Sequence, residues 1–427
     1  MANIRKRGDS YQISVFVGRD ENGKQKFEYA SFTPQSKAPT KIKNEVETFA
    51  RLFEDQVKNG KYRSGNKITF GEYYETWKSD WAKENLTLSV MESYERMIRR
   101  DFLPVLKDKM IAKIRVHDIQ PILDAKKDTV TVSTLKYMLT AVNSVFRYAF
   151  AMDVIDENPC DRVHFPRERR KTYNDLHFFT IEQCKTFLSA LDRSYLHDYG
   201  KRTRKTKDGK EYSISGYQAA VSINTQWKSY FYLAIYGGFR RGELIALTWE
   251  DIDFNKRMVS INKASAMTKA EGQIVKSTKT RAGEREIVLP KVCFDVLASW
   301  KNEQRELSMK IGSAWEGFRG NEYDKNNVFI QMDSGKMMCL DAPSHKFREV
   351  LGYYNESCER EEDKLPLIKL HDLRHTSVTQ LLANGVDIET VSHRHGHSNA
   401  SVTMDVYGHW TEKTDHEASD KLESLFG

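Results

Sequence analysis

Residues 4–32 alternate between hydrophobic and polar positions with the period of two that is typical of β-strands. Residues Arg19–Gly23 interrupt the alternation with turn-forming side chains, so the pattern predicts a meander of three strands. After Pro39 the hydrophobic positions recur at helical spacing, from Ile42 to Val57. The first 64 residues therefore predict a small domain with a three-stranded β-sheet and one helix.

The helical period then continues through residues 65–170. Thr69 and Glu72 have the spacing of a capping box, which predicts a helix start. The longest apolar stripe runs from Ser133 to Met152 and is typical of a core helix rather than of a ligand site. We expect an all-α bundle that ends at Asn158–Pro159 and is followed by a basic linker, residues 166–171.

A second capping box, Thr180 with Gln183, opens a predicted third domain over residues 175–427. Residues 275–289 alternate on both sides of Thr280–Gly283 and predict a β-hairpin with Lys279 beside its tip. The polar insertion at 200–210 predicts a loop. The predicted fold class is multidomain α+β: a small sheet domain, an all-α bundle and a mainly α domain with a small β-sheet.

The net positive charge of the chain indicates what kind of partner it binds. The chain of 427 residues carries a formal net charge of +7, and residues 1–65 hold 13 Lys and Arg against 8 Asp and Glu. This surplus fits a sheet that binds nucleic acid, and it also fits the solvated basic face of a protein-binding module. The candidate phosphate contacts, each of which ordinary solvation would also explain, are Arg5, Lys6, Arg7, Lys24, Lys26, Arg96, Arg99, Lys136, Arg169 and Arg170.

Several other classes of protein are disfavoured. No apolar run approaches membrane-spanning length, and the first ten residues, MANIRKRGDS, lack the hydrophobic core of a signal peptide. The five cysteines include no CxxC pair, which favours a reduced, cytoplasmic location and disfavours a thiolate zinc site. The sequence contains no GxxxxGK[ST] motif for a nucleotide phosphate.

The candidate chemistry is concentrated in the third domain. His371 and Arg374 are three residues apart on a predicted helix, so both can face one anion, and a phosphodiester is the obvious candidate. Arg240 follows two glycines at a predicted helix N-terminus, where an anion is favoured, and Glu243 one turn later can hold its guanidinium. Tyr407 is a candidate nucleophile toward phosphorus.

Histidines cluster in the run His393-Arg394-His395-Gly396-His397. His393 and His397 would lie four residues apart on a helix, a spacing found in metal sites, but no third ligand is evident. We therefore predict no metal site. His393 and His395 are interpreted as surface or DNA-facing side chains.

These residues occur in an order that resembles the tyrosine recombinases of the phage-integrase family. Five segments carry the resemblance: Gly-Phe-Arg240-Arg-Gly-Glu243, Ser-Thr-Lys279-Thr, His371-Asp-Leu-Arg374-His375, Gly396-His397-Ser398 and Thr403-Met-Asp-Val-Tyr407. It covers about residues 65–415, and the basic meander before them resembles the arm-binding domain of integrases from phages and conjugative transposons. One position departs from the pattern, because His395 stands where the family usually has leucine.

The resemblance implies a role for each of these residues. Arg240 and Arg374 would stabilise charge on the phosphate, with hydrogen bonds from His371 and His397. Tyr407 would form a 3′-phosphotyrosine while Lys279 protonates the leaving 5′-oxygen. His371 would assist as a base, and Glu243 and His375 would support the site. No cofactor, metal or ATP is implied.

The resemblance also implies partners. We expect double-stranded DNA at core and arm sites, a homotetramer, an excisionase and a host DNA-bending protein. A C-terminal helix with apolar positions at Ala418, Leu422, Leu425 and Phe426 is expected to dock on a neighbouring protomer or on its own domain. The alternatives to an integrase are a Xer-like resolvase, a type IB topoisomerase, or a regulator on an inactive recombinase scaffold. The N-terminal meander argues against Xer-like proteins, which lack an arm-binding domain.

Overall fold

The computed structural model describes residues 2–19, 23–34, 36, 39–58, 68–166, 177–206, 208–277, 283–317, 326–396 and 423–424. The chain divides into two compact units, Met1–Glu168 and Arg169–Gly427. Its architecture is α+β with small sheets, which confirms the predicted class. The predicted residues that lie outside the described part of the chain are Arg169, Arg170, Lys279, His397, Tyr407 and the C-terminal stripe.

The N-terminal meander and its helix are confirmed. The strands are β1 (Asn3–Arg7), β2 (Ser10–Arg19) and β3 (Gln25–Phe32), antiparallel in the order β1-β2-β3, followed by helix α1 (Pro39–Lys58). Ile13 and Val15 of β2 are buried with Phe53 of α1, and Phe32 stacks on Phe49 with ring centroids 4.6 Å apart. One face of the sheet is therefore covered by α1, which leaves the other face outward.

The all-α bundle is also confirmed. Its helices are α2 (Phe70–Trp77), α3 (Lys83–Asn85), α4 (Leu88–Met97), α5 (Leu103–Leu106), α6 (Val116–Asp124) and α7 (Val132–Ala151). π-Helical turns at Lys78–Ala82 and Ile98–Phe102 join α2 to α3 and α4 to α5. Thr69 Oγ1 accepts a 3.2 Å hydrogen bond from the Glu72 N–H, and the Glu72 carboxylate accepts one of 2.8 Å from the Thr69 N–H, so the capping box forms. The stripe on α7 is buried in the bundle core.

The second unit builds a larger core around one buried helix. In chain order its elements are α8 (Ile181–Ala190), β4 (Ser194–Tyr199), β5 (Arg202–Lys205), β6 (Glu211–Ile214), β7 (Tyr217–Ser222), α9 (Thr225–Gly237), α10 (Arg241–Ile245), β8 (Ile252–Asp253), β9 (Met258–Ile261), β10 (Lys263–Thr268), β11 (Gly272–Ser277), β12 (Arg285–Val288), α11 (Lys291–Ile311), α12 (Ala342–Glu356), α13 (Asp372–Ala383) and α14 (Ile388–His395). Phe231 and Leu233 of α9 are fully buried with Leu297, Phe347 and Leu373 from the neighbouring helices. None of the described helices has the length and apolar character needed to span a membrane.

The predicted hairpin across residues 280–283 is wrong. β11 pairs with β10 through a turn in which Gly272 has φ +72°, whereas β12 pairs with β9 in a separate sheet with β8. Thr268 caps that turn by accepting a 3.1 Å hydrogen bond from the Glu271 N–H. Alternation assigns side chains to faces, but it does not identify the partner strand.

The polar insertion at 200–210 is not simply a loop, because β5 and β6 pair across it. The adjoining strands β4 and β7 also pair with each other, and Tyr195 of β4 stacks on Tyr353 of α12 at 6.1 Å. In β5 and β6 the described side chains are exposed or nearly so, so the strands have no buried face that would give an alternating apolar pattern. The prediction failed because this ribbon is polar on both sides.

Candidate active site

Arg240 lies where α9 gives way to α10. Gly238 ends α9 in the left-handed conformation, with φ +59°, and Arg240 occupies the N-cap position of α10, as predicted. Its Nη1 donates a 2.9 Å hydrogen bond to Glu243 Oε1, and its Nη2 donates one of 2.8 Å to the carbonyl of Gly396. The Arg240 side chain remains 42% exposed, so the guanidinium can still meet a ligand from solvent.

Glu243 is the buried anion that holds this arginine. Its Oε2 also accepts a 2.8 Å hydrogen bond from the Arg240 backbone N–H. Burial on its own raises the pKa of Glu243, but the hydrogen bonds and charge of Arg285, followed by those of Arg240, outweigh burial and lower that pKa below its usual value. The carboxylate is therefore ionised at neutral pH and fixes both guanidiniums.

Arg285 is a member of the site that the sequence interpretation missed. Its Nη1 and Nη2 donate hydrogen bonds of 3.1 and 2.7 Å to Glu243 Oε1 and Oε2, and its Nε donates one of 2.9 Å to the carbonyl of Arg394. A signal was present in the sequence, because Arg285 and Ile287 are two residues apart and therefore share the inward face of β12. An arginine at an inward strand position needs a buried acceptor.

Arg374 approaches the same region from α13. It is buried, and its Nη1 donates a 2.7 Å hydrogen bond to the carbonyl of Gly238, while Nη2 donates to the carbonyl of His395. His371 immediately precedes α13 and lines, together with Arg374, a cavity of about 540 Å³. The predicted common face of His371 and Arg374 is confirmed. Lys369 and Arg348 also line this cavity and add positive charge.

Three guanidiniums converge on the C-terminal turn of α14. Arg285, Arg374 and Arg240 donate, in that order, to the carbonyls of Arg394, His395 and Gly396. These are successive peptide groups at the negative end of a helix, where cations are favoured. We call this set of six residues the carbonyl clamp. It brings together segments that are far apart in the sequence, and it ends directly before His397 in the chain.

His395 is buried, so its predicted surface position is wrong, whereas His393 is exposed as predicted. One ring nitrogen, Nδ1, lies 2.8 Å from the carbonyl of Val391, one helical turn earlier on the same buried side of α14. The other side of the ring lies against Gly238, where an added Cβ would be 2.3 Å from Nε2. His395 thus fills the space beside the turn that precedes Arg240.

His371 and His375 have perpendicular rings with centroids 5.3 Å apart. Partial burial, followed by the positive charges of His375 and Arg374, lowers the pKa of His371 below 6.5. His371 is consequently a neutral imidazole at pH 7, which can accept a proton or donate a hydrogen bond, depending on its tautomer.

The predicted phosphate contacts of the N-terminal sheet separate onto its two faces. Arg5 pairs with Gln12, which pairs with Ser31, and these three positions point away from α1. Lys6 pairs with Tyr11 on the side of the helix, and its Nζ lies 6.0 Å from the centre of that ring. The remaining predicted contacts that the structure describes are exposed: Arg7, Lys24, Lys26, Arg96, Arg99 and Lys136.

Two family models match this chain. The model of the phage integrase family matches residues 213–414, and that of the phage integrase N-terminal SAM-like domain matches residues 69–127. Together these matches span more than half of the chain. The first includes Arg240, Arg374 and α14, and the second lies within the helical bundle.

Curated relatives are similar over long stretches. A protein named tyrosine recombinase XerC-like, from Caldanaerobacter subterraneus subsp. tengcongensis, is 26% identical over 441 aligned positions that cover 99% of this chain and 98% of the relative. The ICEBs1 integrase of Bacillus subtilis is 28% identical over 292 positions, which cover 67% of this chain and 64% of that protein.

Solved structures share the fold. The Tn1549 transposon integrase in complex with transposon right end DNA superposes with a TM-score of 0.61 at 19% identity, covering 83% of this chain and 100% of that one. The λ integrase tetramer bound to a Holliday junction superposes with a TM-score of 0.50 at 15% identity, covering 95% of each chain.

Proposed function

This chain belongs to the phage integrase family of tyrosine recombinases, and we propose that it cleaves and rejoins specific DNA sites to integrate and excise a mobile element. The observation that carries the proposal is the convergence of Arg240 and Arg374 on one turn, the carbonyls of His395 and Gly396. Arg374 lines a cavity with His371, and Arg240 is held at the same turn, so this pair of arginines is suited to bind a phosphodiester.

For the reaction we propose the steps that the family's motifs imply. The Tyr407 phenolic oxygen attacks the scissile phosphorus, and the bond from phosphorus to the 5′-oxygen breaks, which leaves a 3′-phosphotyrosine. The phenol proton passes to a base, for which neutral His371 is suited, and Lys279 donates a proton to the departing 5′-oxygen. Attack by a 5′-hydroxyl of the partner strand reverses these steps and releases Tyr407.

Arg240 and Arg374 would stabilise the negative charge that develops in the transition state. Negative charge grows on the non-bridging oxygens as phosphorus becomes five-coordinate, and fixed donors stabilise it without reorganisation. Arg240 is held by Glu243 and by Gly396 while part of its side chain stays exposed, so it is aligned before DNA arrives. By the family's motifs, His397, which follows Gly396 in the sequence, supplies a further donor. The energy of the broken bond is kept in the phosphotyrosine, so the reaction needs no ATP.

We assign three domains to this activity: residues 1–64 bind arm sites, 65–170 bind core sites, and 175–427 carry out catalysis. The outward face of the N-terminal sheet, with Arg5, Gln12 and Ser31, has the size and chemistry to enter a DNA groove. The solved λ integrase is a tetramer on a Holliday junction, which supports a tetramer here. We propose in addition that the protomers exchange their C-terminal tails. An excisionase, a host DNA-bending protein and a cytoplasmic location complete the proposal.

Resolution of chromosome or plasmid dimers is a second candidate function. It is supported by the match over 99% of this chain to a protein named XerC-like. The two functions share one chemistry and differ in their DNA sites, so recombination assays separate them. An integrase joins two unlike attachment sites, whereas a resolvase recombines two copies of one site.

A covalent adduct tests the chemistry directly. A nicked attachment-site duplex traps the phosphotyrosine because the short strand downstream of the cleavage diffuses away. We expect the wild type to give a protein–DNA adduct that survives denaturation and that is absent from Tyr407→Phe. The control is Tyr217→Phe, which changes an exposed tyrosine of β7 in the same way and should retain the adduct. An adduct in Tyr407→Phe would overturn the nucleophile assignment, and none with the wild type would overturn the enzymatic function.

A further inference from the structure

We propose that Arg285 is a positioning residue for DNA cleavage, which aligns Arg240 and the turn that leads to His397. The inference rests on the proposed function, because it concerns the reaction of that same site. Arg285 itself is almost completely buried, with a side chain 1% exposed, so it acts through its neighbours rather than by touching DNA.

The first link runs through Glu243. Arg285 meets both carboxylate oxygens in a bidentate pair, which fixes the plane of the carboxylate. The same Oε1 atom accepts the hydrogen bond of Arg240 Nη1, and the same Oε2 atom accepts that of the Arg240 backbone N–H. A rotation of the Glu243 carboxylate would therefore move the Arg240 guanidinium.

The second link runs through the main chain of α14. The Nε of Arg285 donates to the carbonyl of Arg394, and the next two carbonyls along the chain bind Arg374 and Arg240. The Arg285 guanidinium thus joins the Glu243 carboxylate to the main chain at the end of α14. Loss of the Nε contact would free the first of the three carbonyls and loosen the turn from which His397 follows.

Only an arginine can make both links. Its planar guanidinium presents Nε and both Nη groups in a rigid fork, which reaches two acceptors in fixed directions. A lysine at position 285 would keep a positive charge near Glu243, but its ammonium is a single point on a flexible stem. Arg285→Lys is therefore expected to retain the buried charge balance while losing the alignment.

The test compares Arg285→Lys with the wild type in single-turnover cleavage of the nicked duplex. At saturating enzyme we expect the rate constant for adduct formation to fall about a hundredfold, since misplacement by about 1 Å has that effect on a preorganised site. The affinity for DNA, measured with Tyr407→Phe in both backgrounds, should not change. Arg360→Lys is the matched control, because Arg360 makes an exposed bidentate pair with Asp363, with distances of 2.9 and 3.0 Å.

A second substrate separates positioning from a general structural defect. A methylphosphonate at the scissile position removes one charged non-bridging oxygen, so alignment of Arg240 matters less. We expect the difference between Arg285→Lys and wild type to shrink on this substrate. A deficit of equal size on both substrates, accompanied by a lower melting temperature, would show a merely structural role and overturn the inference.

The outcomes also separate the two proposals. If the wild type forms an adduct and Arg285→Lys cleaves at the same rate, the positioning role is wrong and the recombinase function stands. If the wild type forms no adduct, the function fails and the positioning role fails with it. Should Arg285→Lys not fold, the double variant Glu243→Gln/Arg285→Gln replaces the buried ion pair with neutral amides, and wild-type cleavage by it would equally overturn the inference.

Discussion

The carbonyl of Gly396 accepts a 2.8 Å hydrogen bond from Nη2 of Arg240, a residue 156 positions earlier in the chain. This contact joins the start of α10 to the end of α14, and it holds a partly exposed guanidinium at the turn that ends with Gly396. The geometry of the site therefore depends on backbone positions as well as on side chains.

Gly238→Ala is expected to destabilise the protein. Gly238 has φ +59°, and a Cβ there would be 2.3 Å from His395 Nε2 and 3.1 Å from the Cβ of Ser377. A non-glycine residue in this conformation costs about 1–3 kcal/mol, and the contact with the buried ring adds to that cost. Urea unfolding measures the change. Gly352→Ala is the control, since nothing lies within 4 Å of its Cβ position in α12 and alanine there should stabilise the helix. Equal stability of Gly238→Ala and wild type would contradict the close packing of His395 against this turn.

Glu243→Gln should lower the free energy of unfolding by about 3–5 kcal/mol, because it leaves the buried Arg285 charge without its partner. The lowered pKa of Glu243 gives the pH dependence: its ionised form stabilises the fold above 4.5, and this contribution is lost as pH falls through its lower folded-state pKa. Chemical denaturation at neutral and acidic pH measures both effects. Glu361→Gln, at an exposed ion pair with Lys364, should change stability by less than about 1 kcal/mol.

The pH profile of cleavage should reflect the lowered pKa of His371. If neutral His371 accepts the phenol proton, the rate constant should stay constant as pH falls to 6.5 and decline only below it. The free energy of unfolding should also decrease as the pH falls below 6.5. The reason is that His371 takes up its proton more readily in the unfolded chain, where its pKa is not lowered. Single-turnover rates of wild type and His371→Asn test this, because the variant should lack the acidic limb. A midpoint above 6.5 would contradict the role.

Arg5→Ala and Lys6→Ala should differ although the residues are adjacent. Arg5 points outward from the sheet, whereas Lys6 lies over Tyr11 on the side of α1. Titration of the full chain with an arm-site duplex should show weaker binding for Arg5→Ala and a slope of log affinity against log salt smaller by about 0.9 if a phosphate contact is lost. Lys6→Ala should change both much less. Equal losses would mean that charge, and not the sheet face, determines binding.

Local signals in the sequence predicted local structure well. The capping boxes at Thr69 and Thr180, the N-cap position of Arg240 and the role of Glu243 all follow from residues within one turn of each other. The joint position of His371 and Arg374 at one cavity was predictable for the same reason. Helix geometry fixes such relations without reference to the rest of the fold.

Relations between distant segments were not predictable in this way. The partner of β11 depends on which strand lies beside it, and alternation carries no such information. The burial of His395 depends on which side of the short helix α14 meets Gly238, and eight residues give too weak a stripe to decide it. Arg285 was overlooked because its acceptors, Glu243 and the carbonyl of Arg394, come from other parts of the chain.

The acceptors of the carbonyl clamp are main-chain atoms, and every residue type carries the same carbonyl group. Substitutions at positions 394, 395 and 396 can alter packing, but no side-chain exchange can delete an acceptor. The donors are side-chain groups, so each of the three positions needs an arginine to make its contacts. A side-chain exchange at 394, 395 or 396 therefore leaves the acceptors in place, whereas replacement of any one of the three arginines removes a donor, and the histidine at 395 is compatible with the arrangement of the three guanidiniums.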